Sequence, residues 1–124
     1  MKFITTLSAA SPAGPYSPAV QAGNLLFVSG QIPLLADGSI AADDIAGQTR
    51  QVFENLKAVL ARAEVGLMQV AKTTVFLKDL EDFSTMNAIY AAEFGDHRPA
   101  RSTVQVAKLP RDVRIEIEAV AILA

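Results

Sequence analysis

Between residues 45 and 63, side chains suited to a buried face recur at steps of three and four: Ile45, Thr49, Val52, Phe53, Leu56, Val59, Leu60 and Ala63. That spacing lays them along one side of a helix of about five turns, roughly 44 to 64. Asp43 stands where an N-cap is expected, and Gly66 where such a helix stops. A helix that is apolar on one side only must bury that side against another element. The rest of the chain offers mostly strands for the purpose.

Residues 1–7, "MKFITTL", read as a short edge strand. "SAASPAGPYSP" follows, and its three prolines and glycine make it a loop. "AVQAGNLLFVSGQI" is two short runs joined at Gly23-Asn24, a tight hairpin turn. "PLLADGSIAAD" is a second loop that turns at Asp37-Gly38. "VAKTTVFLKD", residues 70–79, is rich in β-branched and aromatic residues and reads as a strand. Asp79 or Asp82 caps a second helix over roughly 82–94, with Phe83, Met86, Ile89, Tyr90 and Phe94 as its buried stripe. "GDHRP" breaks it, and His97 there reads as a surface loop residue. Two final strands, about 101–107 and 113–123, are expected to form a hairpin around Leu109-Pro110.

The order β-β-β-α-β-α-β-β points to an α+β fold, a mixed β-sheet with two helices packed on one face. Two helices cover only one face of such a sheet, so self-association is expected to cover the other. The 51% apolar content agrees with that expectation.

A chain of 124 residues suits a single domain, 1–124, and a domain of this size buries about two-thirds of its unfolded surface. The net charge of −2 carries no basic stripe of the kind that binds nucleic acid. With no cysteine, disulfides, thiolate catalysis and zinc-thiolate sites are excluded. One histidine leaves no imidazole cluster for a metal and no serine-type triad. No run approaches the roughly 20 apolar residues of a membrane span, and no signal-peptide pattern is present, so a cytoplasmic protein is expected.

The last hairpin raises a chemical question. In the final strand Val113, Ile115, Ile117, Ala119, Ala121 and Leu123 share one face, while Arg114, Glu116, Glu118, Val120 and Ile122 share the other. In the strand before it, Arg101, Thr103 and Gln105 point one way. In one hairpin register Glu116 lies beside Thr103 and diagonal to Arg101, so that a carboxylate, a hydroxyl and a guanidinium converge. A slip of one residue sends them to opposite faces. The convergence reads either as a site or as a cross-strand ion pair on a wet surface, contributing under about 1 kcal/mol. Glu118 reads as structural, paired with Arg114 or at a rim.

Four stretches then fall in the order of a known family. "GPYSPAV" at 14–20, "FVSGQIPL" at 27–34, "KTTVFLKDLEDFSTMNAIYAAEF" at 72–94 and "PARSTVQVAKLPRDVRIEIEA" at 99–119 together resemble the YjgF/RidA family of imine deaminases, nearly end to end. The resemblance implies a chorismate-mutase-like fold and a homotrimer with clefts between subunits. It also implies hydrolysis of reactive 2-imino acids (2-iminobutanoate, 2-iminopropanoate) to 2-keto acids and ammonia, with no cofactor or metal. Arg101 matches the family's carboxylate-binding arginine, and a planar fork suits a two-oxygen anion. Glu116 matches the glutamate that handles the attacking water. Tyr16 and Asn87 match polar residues of the cleft, and Ser29 and Gly30 a stretch whose backbone approaches the substrate. Thr103 stands where many deaminating members carry cysteine. "GDHRP" is short and lacks an aromatic before Pro99, which widens the expected mouth of the cleft.

On residue type alone, Tyr16 also suits packing with a wet hydroxyl and Asn87 a solvated helix face. The same scaffold also suits a non-enzymatic binder of small carboxylates. A ribonuclease or chaperone role, reported for some members, is disfavoured for RNA by the acidic balance.

Overall fold

The computed structural model describes residues 1–5 and 14–124, so the expectations for residues 6–13 lie outside the described residues. Among the described residues six strands and two α-helices follow in the expected order: β1 (Lys2–Ile4), β2 (Ala19–Ala22), β3 (Leu25–Gln31), α1 (Ile45–Arg62), β4 (Val70–Leu77), α2 (Phe83–Phe94), β5 (Ala100–Gln105) and β6 (Ile115–Ile122). One mixed sheet runs β1-β2-β3-β6-β4-β5, antiparallel throughout except for the parallel β4–β5 pair. A parallel pair requires a crossover, and α2 supplies it.

The core lies between the helices and one sheet face. Val52, Phe53, Leu56 and Leu60 of α1 and Met86, Tyr90 and Phe94 of α2 meet Leu26, Val75, Leu77, Ile115 and Ile117 of the sheet. Phe53 stands edge-on to Tyr90 and Phe94, with ring centroids 5.7 and 5.6 Å away. Such pairs add about 0.5–1.5 kcal/mol beyond their buried area. Among the described residues no helix lies over the opposite sheet face. Phe3, Phe27, Val104 and Ile122 are exposed there, along with half-buried Phe76 and Val120.

The hairpin turn at Gly23, whose φ is +62°, and the loop turn at Gly38, at +89°, form as expected; both favour glycine. The N-cap of α1 is Asp44, not Asp43. Its carboxylate accepts the Gly47 N–H at 2.7 Å. A 3-10 turn at Leu80–Asp82 leads into α2; Asp79 closes that turn by accepting the Glu81 N–H.

The expected hairpin between the last two strands does not form. β5 and β6 lie on either side of β4 and make no ladder with each other. The physical reason is their composition. In β6, Ile115, Ile117, Ala119 and Ala121 are all buried, which demands a central position. In β5, "ARSTVQ" has no buried residue and takes the edge, where polar side chains are tolerated. A tight turn at Pro110–Asp112 with left-handed Arg111 and Asp112 then carries the chain past β4.

Candidate active site

β5 and α2 build the first group of polar residues. Arg101 pairs in register with Thr73 of β4 and therefore points toward the helices. Its Nη1 donates to Asn87 Oδ1 at 2.8 Å. Its guanidinium carbon lies 4.7 Å from the Tyr90 ring centroid and 5.4 Å from that of Phe83. Phe83, Asn87 and Tyr90 recur at steps of four and three, so one strip of α2 supplies two ring faces and an amide to one arginine. Tyr90 is fixed in turn by a 2.6 Å hydrogen bond between its hydroxyl and Thr73. Burial pushes the Tyr90 phenol up, against the Thr73 bond and the Arg101 charge.

Among the described residues no carboxylate lies within ion-pair distance of Arg101. A cavity of about 380 Å³ opens beside it, lined by Asn87, Tyr90, Ala91, Arg98, Pro99 and Arg101. Thr103, two residues along β5, faces the same side. Its hydroxyl oxygen is buried without a hydrogen-bond partner among the described residues.

The second group lies on the uncovered face. Glu116 pairs in register with Phe76, one position out of phase with the Thr73–Arg101 pair. Its carboxylate lies against Gly30 of β3. A Cβ at residue 30 would fall 1.9 Å from Glu116 Oε2, so the glycine leaves room for the carboxylate in this position. The β3–β6 register shifts between Val28 and Gln31, a bulge that places Ser29 and Gly30 opposite one residue of β6. Ser29 donates its hydroxyl to Ser17 O at 2.6 Å and its N–H to Pro18 O at 2.9 Å. These two bonds hold the loop that carries Tyr16, itself largely exposed. Burial, with a smaller contribution from Glu118, raises the Glu116 carboxyl above its ordinary value. Half-buried and with no ion-pair or hydrogen-bond partner among the described residues, it is suited to act as a base.

The candidate residues therefore fall into two sets. Arg101 and Thr103 face the helices, with Asn87 on α2 against Arg101; Glu116, Gly30 and Ser29 belong to the β3–β6 side, with Tyr16 on the attached loop. The convergence of Arg101, Thr103 and Glu116 in one protomer, expected from a hairpin, is overturned: β4 separates the strands and the register sends the two charges to opposite faces. The exposed ion-pair alternative falls by the same register. Glu118 does not pair with Arg114, whose Nη1 approaches Asp82 at 3.6 Å. His97 is half-buried and bonds Val70 O at 2.6 Å instead of standing free in a surface loop. Sequence reasoning assigned Phe83 and Tyr90 to the core stripe and missed their contact with Arg101. The amide of Asn87 interrupting that stripe was the available signal.

Among the described residues no group of histidine, cysteine, aspartate and glutamate is placed to hold a metal, and no helix is long and apolar enough to cross a membrane.

The family model described as Endoribonuclease L-PSP matches residues 6–123. A RutC family protein of Pyrococcus horikoshii is 54% identical over 121 residues, 97% of this chain and 96% of that protein. The 2-iminobutanoate/2-iminopropanoate deaminase of Salmonella typhimurium is 47% identical over 124 residues, 98% of this chain and 97% of that one. The crystal structure of Escherichia coli TdcF with bound serine superposes with a TM-score of 0.94 at 43% identity, covering 100% of both chains. The six-stranded sheet with two helices on one face is the chorismate-mutase-like arrangement, and the chain belongs to the YjgF/RidA family.

Proposed function

We propose that the protein hydrolyses 2-imino acids to 2-keto acids and ammonia, at sites assembled from two copies of the chain in a homotrimer. The observation that carries this reading is Arg101: a guanidinium fixed by an amide and two rings, facing a cavity, with no carboxylate partner among the described residues. Such a group is prepared for an external two-oxygen anion. The deaminase name of relatives 47% identical supplies the chemistry, and the serine held by TdcF is a small amino acid with the same carboxylate.

In this reading Arg101 of one protomer clamps the substrate carboxylate, with Asn87 steadying the guanidinium and Thr103 beside it. Glu116 comes from a neighbouring copy, with Gly30, Ser29 and Tyr16 around it. Glu116 takes a proton from water as the oxygen bonds to the imine carbon, and the C=N electron pair moves to nitrogen. The same carboxyl returns the proton to nitrogen to give a carbinolamine; it then takes the hydroxyl proton and passes it to nitrogen as the C=O bond forms and the C–N bond breaks, so that ammonia leaves a 2-keto acid. General acid–base help of this kind contributes typically about 10²- to 10⁴-fold, and positioning adds to it. The uncovered sheet face, with Phe3, Phe27 and Ile122 exposed, is the surface on which copies associate.

The test is a threonine dehydratase reaction in which semicarbazide traps the released imine. Adding the parent protein is expected to lower trapped 2-iminobutanoate. Arg101→Ala is expected to lose this effect, and Glu116→Gln to bind 2-ketobutyrate yet turn over at least about a hundredfold more slowly. Parental rates in both variants would overturn the reading. A parent that binds 2-ketobutyrate without shortening the imine's lifetime would favour a carboxylate-binding protein.

A further inference from the structure

The cavity beside Arg101 contains a second guanidinium. Arg98 lies in the turn after α2, three residues before Arg101, and lines the same space. Both of its hydrogen bonds use Nη1, donated to the carbonyls of Gly95 and His97. An arginine there steadies the carbonyls at the end of α2, a common structural duty. That duty occupies one nitrogen. Nε and Nη2 have no hydrogen-bond partner among the described residues, and neither have those of Arg101, whose hydrogen bond likewise uses Nη1.

No acid lies among the lining residues Asn87, Tyr90, Ala91, Arg98, Pro99 and Arg101, so among the described residues the cavity wall carries two positive charges and no negative one. Arg98 makes no ion pair among the described residues, although Asp96 is two residues away. The volume of about 380 Å³ lies within the range of small-molecule sites. Two unpaired forks on one wall complement a ligand with an anionic group at each end.

We infer that Arg98 is a specificity-determining residue and that the site favours 2-imino dicarboxylates, with Arg101 on the carboxylate next to the imine carbon and Arg98 on the distal one. This rests on the deaminase reading and names its substrate class. Imino diacids arise by two-electron oxidation of acidic amino acids at the Cα–N bond, so an amino-acid-oxidising reaction, and not only a β-eliminating one, would supply this protein.

The experiment compares the five-carbon imino diacid with 2-iminobutanoate, each generated in place by an amino-acid oxidase and trapped with semicarbazide. The parent and Arg98→Ala, Arg98→Lys and Arg98→Glu are assayed on both. Calorimetry with 2-ketoglutarate and 2-ketobutyrate follows binding apart from turnover. The parent is expected to prefer the diacid. In Arg98→Ala the diacid-to-monoacid ratio of kcat/KM should fall about tenfold or more, through KM and with a matching loss of 2-ketoglutarate affinity. Arg98→Lys should keep part of the ratio and Arg98→Glu should lower it further. If 2-iminobutanoate is hydrolysed but the ratio is the same in all four proteins, Arg98 has only its structural duty and the inference is wrong. If the parent hydrolyses neither imine, the deaminase reading itself fails.

Discussion

At the scale of single residues, Gly30 and Glu116 form one unit. The sequence shows a glycine in a strand and a glutamate among isoleucines, but not that one makes room for the other. Burial raises the Glu116 carboxyl, which fixes the sign of a pH effect. The folded state holds that proton more tightly than the unfolded chain, whose ordinary value is 4.5. Its stabilising contribution is therefore complete below the unfolded value and is lost as pH rises through the higher folded value. Glutamine keeps the shape without the charge. Glu116→Gln should therefore unfold at a higher temperature than the parent at pH 7, and the gap should narrow as pH falls toward 4.5, followed by thermal melts. A gap that widens toward acid would show that burial is not what disfavours the charge.

At the scale of elements, the two helices were legible because their stripes are long and periodic, and Gly23 and Gly38 marked their turns. The cap was legible only to one residue, since Asp43 and Asp44 are both good capping residues. A Cβ at Gly47 would meet Ala42 Cβ at 2.6 Å and Asp44 Oδ1 at 2.8 Å, so the first turn packs closely on both. Asp44→Ala should destabilise the fold by about 1 kcal/mol, while Asp43→Ala should leave the denaturant midpoint nearly unchanged, at constant slope in both. The pairing of β5 and β6 was not legible from adjacency in sequence. Local turn signals do not encode which strand the centre of a sheet will take. The contrast between apolar "IEIEAVAI" and polar "ARSTVQ" does, because a central strand loses water on both sides. That mistaken pairing also misplaced Arg101 and Glu116 relative to each other, since a strand's neighbours decide its register and its register decides its faces.

At the scale of the whole molecule, an arginine set and a glutamate set lie on opposite faces of one sheet, and each lacks what the other supplies. The bare sheet face gives the chain a reason to associate, and association gives the two sets a way to meet. The most direct measurement mixes two inactive proteins, Arg101→Ala and Glu116→Gln, by unfolding and refolding them together, and follows 2-iminobutanoate hydrolysis. If sites form between copies, mixed oligomers contain some junctions with both parental residues, and about a quarter of the parental rate should return at equal proportions. If the mixture is no more active than its two components apart, Arg101 and Glu116 do not act across a subunit boundary, and the proposed site is wrong.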